Sequence, residues 1–407
     1  MDRLARIFRA ESGQVLASLV YFSRDLQLAE DALQDACEQA SKKWPVQGIP
    51  ENTSAWLHLV AKRKLIDKLR QQQSQKNEHK LQLIEQSMYI RSDITPETDY
   101  EVPDERLRLI FTCCHPALNE AAQVALTLRA LCGLEVIEIA RAYLTSEAAI
   151  GQRITRAKKK IRDAGISYEI PNAEQLNTRL PSVLKVIYLI YNESYLAYEG
   201  RTLTRQDLAN EAIRLSLVMV QLIPGPEVFG LSALMLFHDA RRLSRSSVIE
   251  PYIPLKQQNR TLWDRAQIKQ ADVLIHNALE YKQPGPYQIQ AAISALHSRV
   301  ESWDATDWPQ IQLLYMSLFH MQPSPVIALN LAIAKANGGQ LVQAYEDVQM
   351  LNDELNLYQP YHAARGDLES RLSLIEQAIC SISKAITLSK NSIERDFLIK
   401  KRRELVK

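Results

Sequence analysis

Net charge is nearly absent from this sequence: 49 lysines and arginines against 47 aspartates and glutamates leave +2 over 407 residues. That excludes a generally basic nucleic-acid coat, so any affinity for a polyanion has to come from local clusters. Cysteine is scarce as well. Cys37, Cys113, Cys114, Cys132 and Cys380 form no CxxC pair and no framework spacing, which argues against a disulfide scaffold and fits a reducing cytoplasm. No uninterrupted apolar run is long enough to span a bilayer. The opening MDRLARIFRAES is amphipathic and lacks the apolar core of a secretory signal, so a cytoplasmic protein with no membrane partner is expected. Only 12 residues are glycine while 46% are hydrophobic. This is an ordinary globular composition with enough apolar surface for two or three cored domains.

What is present is helical periodicity, and it is most informative from Gly133 to Ile161, GLEVIEIARAYLTSEAAIGQRITRAKKKI. Val136, Ile139 and Ala140 share one helix face. After a break at Tyr143-Leu144-Thr145, Ser146 stands at an N-cap with Glu147 in the first turn. The second helix turns Ile150, Ile154, Ala157 and Ile161 inward and presents Gln152, Arg153, Arg156, Lys158, Lys159, Lys160 and Arg162 outward. Two apolar-cored helices joined by a tight turn, the second cationic, meet the requirements of a helix-turn-helix.

The first 75 residues predict three more helices. Leu4, Ile7, Phe8, Val15, Leu16, Leu19, Val20 and Phe22 mark the first. In the second, Leu28, Ala32, Leu33, Ala36 and Ala40 face inward while Glu30, Asp31, Gln34, Asp35 and Glu38 face out, with Pro45 and Pro50 breaking the chain after Trp44. The third, about Thr53 to Arg70, buries Trp56, Leu57, Val60, Leu65, Ile66 and Leu69 and shows Lys62, Arg63, Lys64, Asp67, Lys68 and Arg70. An acidic helix beside a basic one suggests one cationic and one anionic partner; ordinary solvated charge alternation is the alternative.

The segments LQLAEDALQDACEQA and AWLHLVAKRKLIDKLR resemble region 2 of bacterial sigma factors of the extracytoplasmic-function type, and Gly133–Ile161 resembles region 4. The resemblance implies core RNA polymerase and promoter DNA as partners. It assigns Asp31, Gln34, Asp35 and Glu38 to the polymerase. Lys62, Arg63, Lys64, Lys68 and Arg70 go to the minus-10 element, where cations meet phosphates and an unpaired base needs a pocket or a stacking surface. Gln152, Arg153, Arg156, Lys158, Lys159 and Lys160 go to the minus-35 element, with the arginines suited to guanine and the later lysines to phosphate. Leu144 replaces a glycine frequent in that turn, which implies a different loop geometry.

Residues 76–103 are polar with little periodicity and read as a linker, giving region 2 at 1–75 and region 4 at 104–168. Cys113, Cys114 and His115 invite a metal reading, but adjacent cysteines without a second cluster do not match metal-ligand spacing, and a packed helix end before Pro116 is expected. No cofactor and no metal are expected.

From 170 to 407 the sequence reads as a run of helices. Ala332, Ala344, Val348 and Leu351 recur as Gly366, Ala378, Ile382 and Ala385, each 34 residues later, the tetratricopeptide period. Stacked helical hairpins of this kind form a solenoid that holds proteins or peptides. The stretches CCHP, AQVALTLRALCGL, IPLKQQNRTLWD, GPYQIQAAISALH, TDWPQI and SPVIALNLAIA resemble a sigma subgroup whose C-terminal tetratricopeptide-like domain stands in place of dependence on a membrane anti-sigma protein. The expected fold class is all-α throughout.

Two other functions fit parts of the pattern. One is a helix-turn-helix regulator that binds duplex DNA without the polymerase and recruits proteins through its solenoid. The other is an enzyme using the cluster of Tyr188, Tyr191, Asn192, Glu193, Tyr195 and Tyr198, or the groups around His238, Arg260 and Trp263. No nucleophile, base and oxyanion set appears at predictable spacing, and packing is the expected role of these side chains.

Overall fold

A computed structural model describes residues 3–71, 103–143, 145–166, 168–169, 171–196, 203–245, 252–389 and 392–406. The linker 76–103, apart from Pro103, and Leu144 and Tyr198 lie outside them, as do the side chains of Glu193 and Tyr195. The described residues are helical and contain no strand. Contacts divide the chain into two compact units, Met1–Ser194 with Thr204–Ala212, and Tyr195–Leu203 with Ile213–Lys407.

The first unit opens with α1 (Arg3–Ser23), α2 (Leu26–Gln47) and α3 (Thr53–Gln71). Their facing stripes, with Leu16, Leu19, Ala32, Ala36, Leu57 and Leu65 each at most 2% exposed, form the core the periodicity predicts. Asp25 caps α2 by accepting from the Leu28 N–H at 3.0 Å. The helix does not stop at Trp44. It runs through Pro45 to Gln47 and ends at Gly48, where φ is 90° and the N–H donates to the Trp44 carbonyl at 3.0 Å. A proline in the last turn forfeits only one helix hydrogen bond, and glycine supplies the left-handed terminus that ends the helix.

Next come α4 (Pro103–Cys113), α5 (Glu120–Ala130), α6 (Val136–Ala142) and α7 (Glu147–Asp163). The Cys-Cys-His-Pro stretch is a packed helix end. Cys113 and Cys114 are buried, and the Cys114 sulfur lies 3.6 Å from the Thr127 hydroxyl. The Gln123 amide donates to the carbonyls of His115 at 3.0 Å and Leu118 at 3.2 Å, satisfying a turn that cannot continue as helix. Burial drives the Cys114 thiol up to about 12 and the Cys113 thiol well above the ordinary range. The helix α8 (Ala173–Leu196) begins earlier than its apolar pattern suggests and packs with α4 and α5: Arg179 donates to the Phe111 carbonyl, and Lys185 pairs with Glu120. The compact boundary therefore falls well beyond residue 170.

The second unit takes up the latter half of α9 (Leu203–Leu222), followed by α10 (Pro226–Asp239), α11 (Arg265–Glu280), α12 (Pro286–Ser298) and α13 (Trp308–Met321). It ends with α14 (Pro325–Asn337), α15 (Leu341–Met350), α16 (Asn352–Leu355), α17 (Gln359–Arg371), α18 (Ile375–Leu388) and α19 (Ser392–Leu405). The 34-residue recurrence is structural. Ala332, Ala344 and Val348 are fully buried, as are Ala378, Ile382 and Ala385. A Cβ on Gly366 would stand 2.6 Å from Ile382 Cγ1, so two helices cross where only hydrogen fits. The turns repeat as well: Gly339 and Ser373, 34 positions apart, both take positive φ. Upstream, α12 and α14 start 39 residues apart, at Pro286 and Pro325, because the loop carrying Trp303 is inserted there. That loop lengthens the spacing there from 34 to 39.

The polar motif residues of this half serve the scaffold. Asp264 caps α11 through the Gln267 N–H and Asp307 caps α13 through the Gln310 N–H. Arg260 donates to the His297 carbonyl and, at 3.0 Å, to that of Val300, so its charge closes the C-terminus of α12 while its guanidinium lies 4.6 Å from the Trp263 ring centroid. The His238 imidazole and the Ser294 hydroxyl are 3.1 Å apart.

Candidate nucleic-acid interface

The start of α7 is capped as the sequence requires. The Ser146 hydroxyl accepts from the Ala149 N–H at 3.2 Å. Ile150, Ile154, Ala157 and Ile161 are buried, and Ile139 and Ala140 meet them from α6. This fixes the rotation of α7 and leaves Gln152, Arg156, Lys159 and Lys160 exposed, with Arg153 half-buried. Gly151 sits on the same helix with open space where a Cβ would be. The result is a cationic helix of four to five turns with its N-terminal half uncovered, the part that contacts base edges in this motif.

Lys158 departs from the expected outward set. Its ammonium donates to the Glu30 carboxylate and to Gln27 Oε1 at 3.0 Å, both on α2, and the Lys158 side chain is only 15% exposed. Glu30, expected to point into solvent, is correspondingly 14% exposed. The sequence carries no signal for this pair, because the partners are 128 positions apart.

On α3, Arg63 and Arg70 are exposed and Lys64 and Lys68 half-buried. Lys62 is corrected from the polar face to the interior: it is 5% exposed, and its ammonium lies 4.3 Å from the Phe22 ring centroid, a cation–π contact that a period-3.6 pattern does not reveal. Trp56 packs edge-on against Trp44, ring centroids 5.3 Å apart, and Phe8 also meets Trp44. Trp56 is half-buried there rather than fully buried as its spacing predicts, while Trp44 is in the core.

The acidic face of α2 is continuous. Gln34 and Glu38 are exposed and joined by a 3.3 Å hydrogen bond, and Asp31 accepts from Gln27 at 2.8 Å. Asp35 pairs with Lys68 of α3 at 3.0 Å, so the acidic and basic helices meet at an ion pair. Of the tyrosines of α8, Tyr191 is 2% exposed and packed in the core.

Comparison with known proteins falls on these same elements. Residues 7–75 are similar to sigma-70 region 2 and residues 108–161 to sigma-70 region 4. Residues 179–279 match a family of unknown function, DUF6596. Along nearly its whole length the chain is similar to "Uncharacterized protein R00370" of Rhizobium meliloti (strain 1021): 41% identity over 387 residues, covering 95% of this chain and 92% of the relative.

Proposed function

From the premise that the chain belongs to one family with that relative and is a sigma factor, which joins core RNA polymerase to promoter DNA, we propose that it is of the extracytoplasmic-function type. In this reading Asp31, Gln34, Asp35 and Glu38 bind the polymerase. Arg63, Lys64, Lys68 and Arg70, with Lys62 supporting them from within, act at the minus-10 element. Gln152, Arg153, Arg156, Lys158, Lys159 and Lys160 act at the minus-35 element. The second unit is a tetratricopeptide-like domain that governs activity, through a protein or peptide ligand suited to a helical solenoid.

The observation carrying this reading is the combination of an exposed acidic α2 face, the adjoining basic face of α3, and an uncovered cationic α7, in the family's order along one chain. Tethering two DNA-binding parts makes each raise the effective concentration of the other, so two modest contacts give firm promoter choice.

Run-off transcription with core RNA polymerase tests it, using the full chain and a Gln34→Ala/Asp35→Ala double variant on DNA selected by the protein–polymerase mixture. Polymerase-dependent start sites that weaken in the variant are expected. DNA selected equally well without polymerase, with no specific transcript, would instead identify a polymerase-independent regulator.

A further inference from the structure

Three side chains near the C-terminus of α12 leave buried polar atoms unused. Arg260 Nη1 donates to the carbonyls of His297 and Val300, but Arg260 Nη2 is buried with no hydrogen-bond partner. The residue is 7% exposed, and among the described residues no carboxylate forms an ion pair with it. His297 Nδ1 and Thr306 Oγ1 are buried and unpartnered in the same way. A run of direct contacts joins these residues. The His297 ring, whose own carbonyl receives Arg260, stacks on Trp303 with centroids 5.9 Å apart and meets Trp308 edge-on at 5.3 Å. The Thr306 N–H donates to the Trp303 carbonyl at 3.1 Å, and the Thr306 carbonyl accepts from the Trp308 N–H at 2.9 Å.

A buried donor without an acceptor is costly, because the folded chain has given up water's hydrogen bond and gained nothing in return. Elsewhere in the second unit a buried charge is well partnered. Glu369, 0% exposed, accepts from Arg365 at 2.8 Å, from Ser381 at 2.6 Å and from Tyr345 at 3.3 Å. Arg260 has no such counterpart, and the field around it is positive: burial, then the charges of Arg241 and Arg260, hold the His297 imidazole down to about 4. The inserted loop between α12 and α13 is what brings Trp303 and Thr306 to this place.

We propose that Arg260, His297 and Thr306 form the binding site of a small monocarboxylate. A carboxylate only accepts hydrogen bonds, and its oxygens suit Arg260 Nη2, the Thr306 hydroxyl and the Nδ1–H tautomer of His297. One negative charge balances the one guanidinium that lacks an acidic partner, whereas a phosphate dianion would leave charge buried in excess. The rings of Trp303 and Trp308 beside His297 offer an apolar wall to the ligand's carbon skeleton. This site belongs to the second unit alone and does not depend on the sigma-factor reading.

Fluorine NMR of the full chain carrying 5-fluorotryptophan tests it, with resonances assigned through Trp303→Phe and Trp308→Phe. Acetate or propionate, compared with chloride at the same ionic strength, should shift the Trp303 and Trp308 resonances to saturation and raise the thermal midpoint. Thr306→Val removes the hydroxyl without changing shape, and Arg260→Lys keeps the charge but loses the planar fork. Each should raise the half-saturating concentration about tenfold. If Arg260→Lys loses its helical circular dichroism, Thr306→Val carries the comparison. Chloride acting as well as the carboxylates would overturn the inference, as would a Thr306→Val response equal to the parent's. Either result would leave the three atoms to buried water. Inorganic phosphate saturating at lower concentration than acetate would overturn the assignment to a monocarboxylate.

Discussion

The ammonium of Lys68 on α3 lies 3.0 Å from Asp35 Oδ2 on α2, each side chain about one-third exposed. The proposed polymerase surface and the proposed minus-10 surface therefore share a charge pair, and a change to either residue alters both faces. An ion pair this exposed contributes at most about 1 kcal/mol to stability. Asp35→Ala and Lys68→Ala are each expected to leave the unfolding midpoint nearly unchanged while lowering transcription. In a double-mutant cycle on polymerase affinity the pair should be non-additive. Additive effects would mean that the two surfaces act independently.

Arg156 and Lys160 are both exposed on α7 but suit different chemistry. Arg156→Ala should cost about 1–3 kcal/mol at the cognate minus-35 element and relax preference at one base position. Lys160→Ala should weaken binding evenly across sequences and reduce the salt dependence by about one ion. Binding to a panel of single-base variants at several salt concentrations separates the two.

Two glycines should respond to alanine with opposite signs. At Gly366 the new Cβ would meet Ile382 Cγ1 at 2.6 Å and the Ala378 carbonyl oxygen at 3.3 Å, so overpacking should cost about 1–3 kcal/mol. At Gly151 nothing stands within 4 Å, and alanine should gain about 1 kcal/mol through helix propensity. Thermal unfolding of both variants reads the difference. A loss of promoter binding in Gly151→Ala despite its gain in stability would show that DNA approaches the backbone there.

Acid should weaken the second unit first. His297, stacked on Trp303 and edge-on to Trp308, is held down to about 4 by burial and then by the charges of Arg241 and Arg260. Burial depresses His238 as well, helped by Arg241 and Arg245. Both imidazoles stay neutral in the folded chain, whereas the unfolded chain takes up their protons below about 6.5. Stability is therefore full above that pH and falls as pH drops towards 4, by about 3 kcal/mol for His297 alone. Urea unfolding followed by tryptophan emission between pH 7 and 4 should show this, and His297→Gln should flatten the slope. An unchanged slope would contradict the assignment to His297.

Thiol chemistry should follow burial. Cys380 is exposed, whereas Cys113, Cys114 and Cys132 are buried, and burial raises the Cys37 thiol to about 11. Since the thiolate is the attacking form, one thiol should react quickly with a disulfide reagent at pH 8, and four more only after unfolding.

The sequence by itself determined the helices and which residues core them. Ile150, Ile154, Ala157 and Ile161 are buried as their spacing requires, Ser146 caps where a serine before an apolar run should, and the 34-residue recurrence marks real helix crossings at Ala344 and Gly366. These are local properties, set by a 3.6-residue period and by side-chain volume, so a linear reading recovers them. Local preference was outvoted at Pro45, where one lost hydrogen bond is too small a penalty to end a helix whose inner face is buried as far as Trp44.

Only the tertiary structure decided what stands opposite each polar face. Periodicity names Lys62, Lys158 and Glu30 as outward, and for an isolated helix it is correct. In the folded unit Lys62 meets the ring of Phe22 and Lys158 meets Glu30, because other helices pack over those positions. Gly13 belongs with them: its missing side chain acquires meaning only where the carbonyl of Leu131 arrives from more than a hundred residues away. A contact at that separation depends on how whole helices stack, which no window of neighbouring residues encodes.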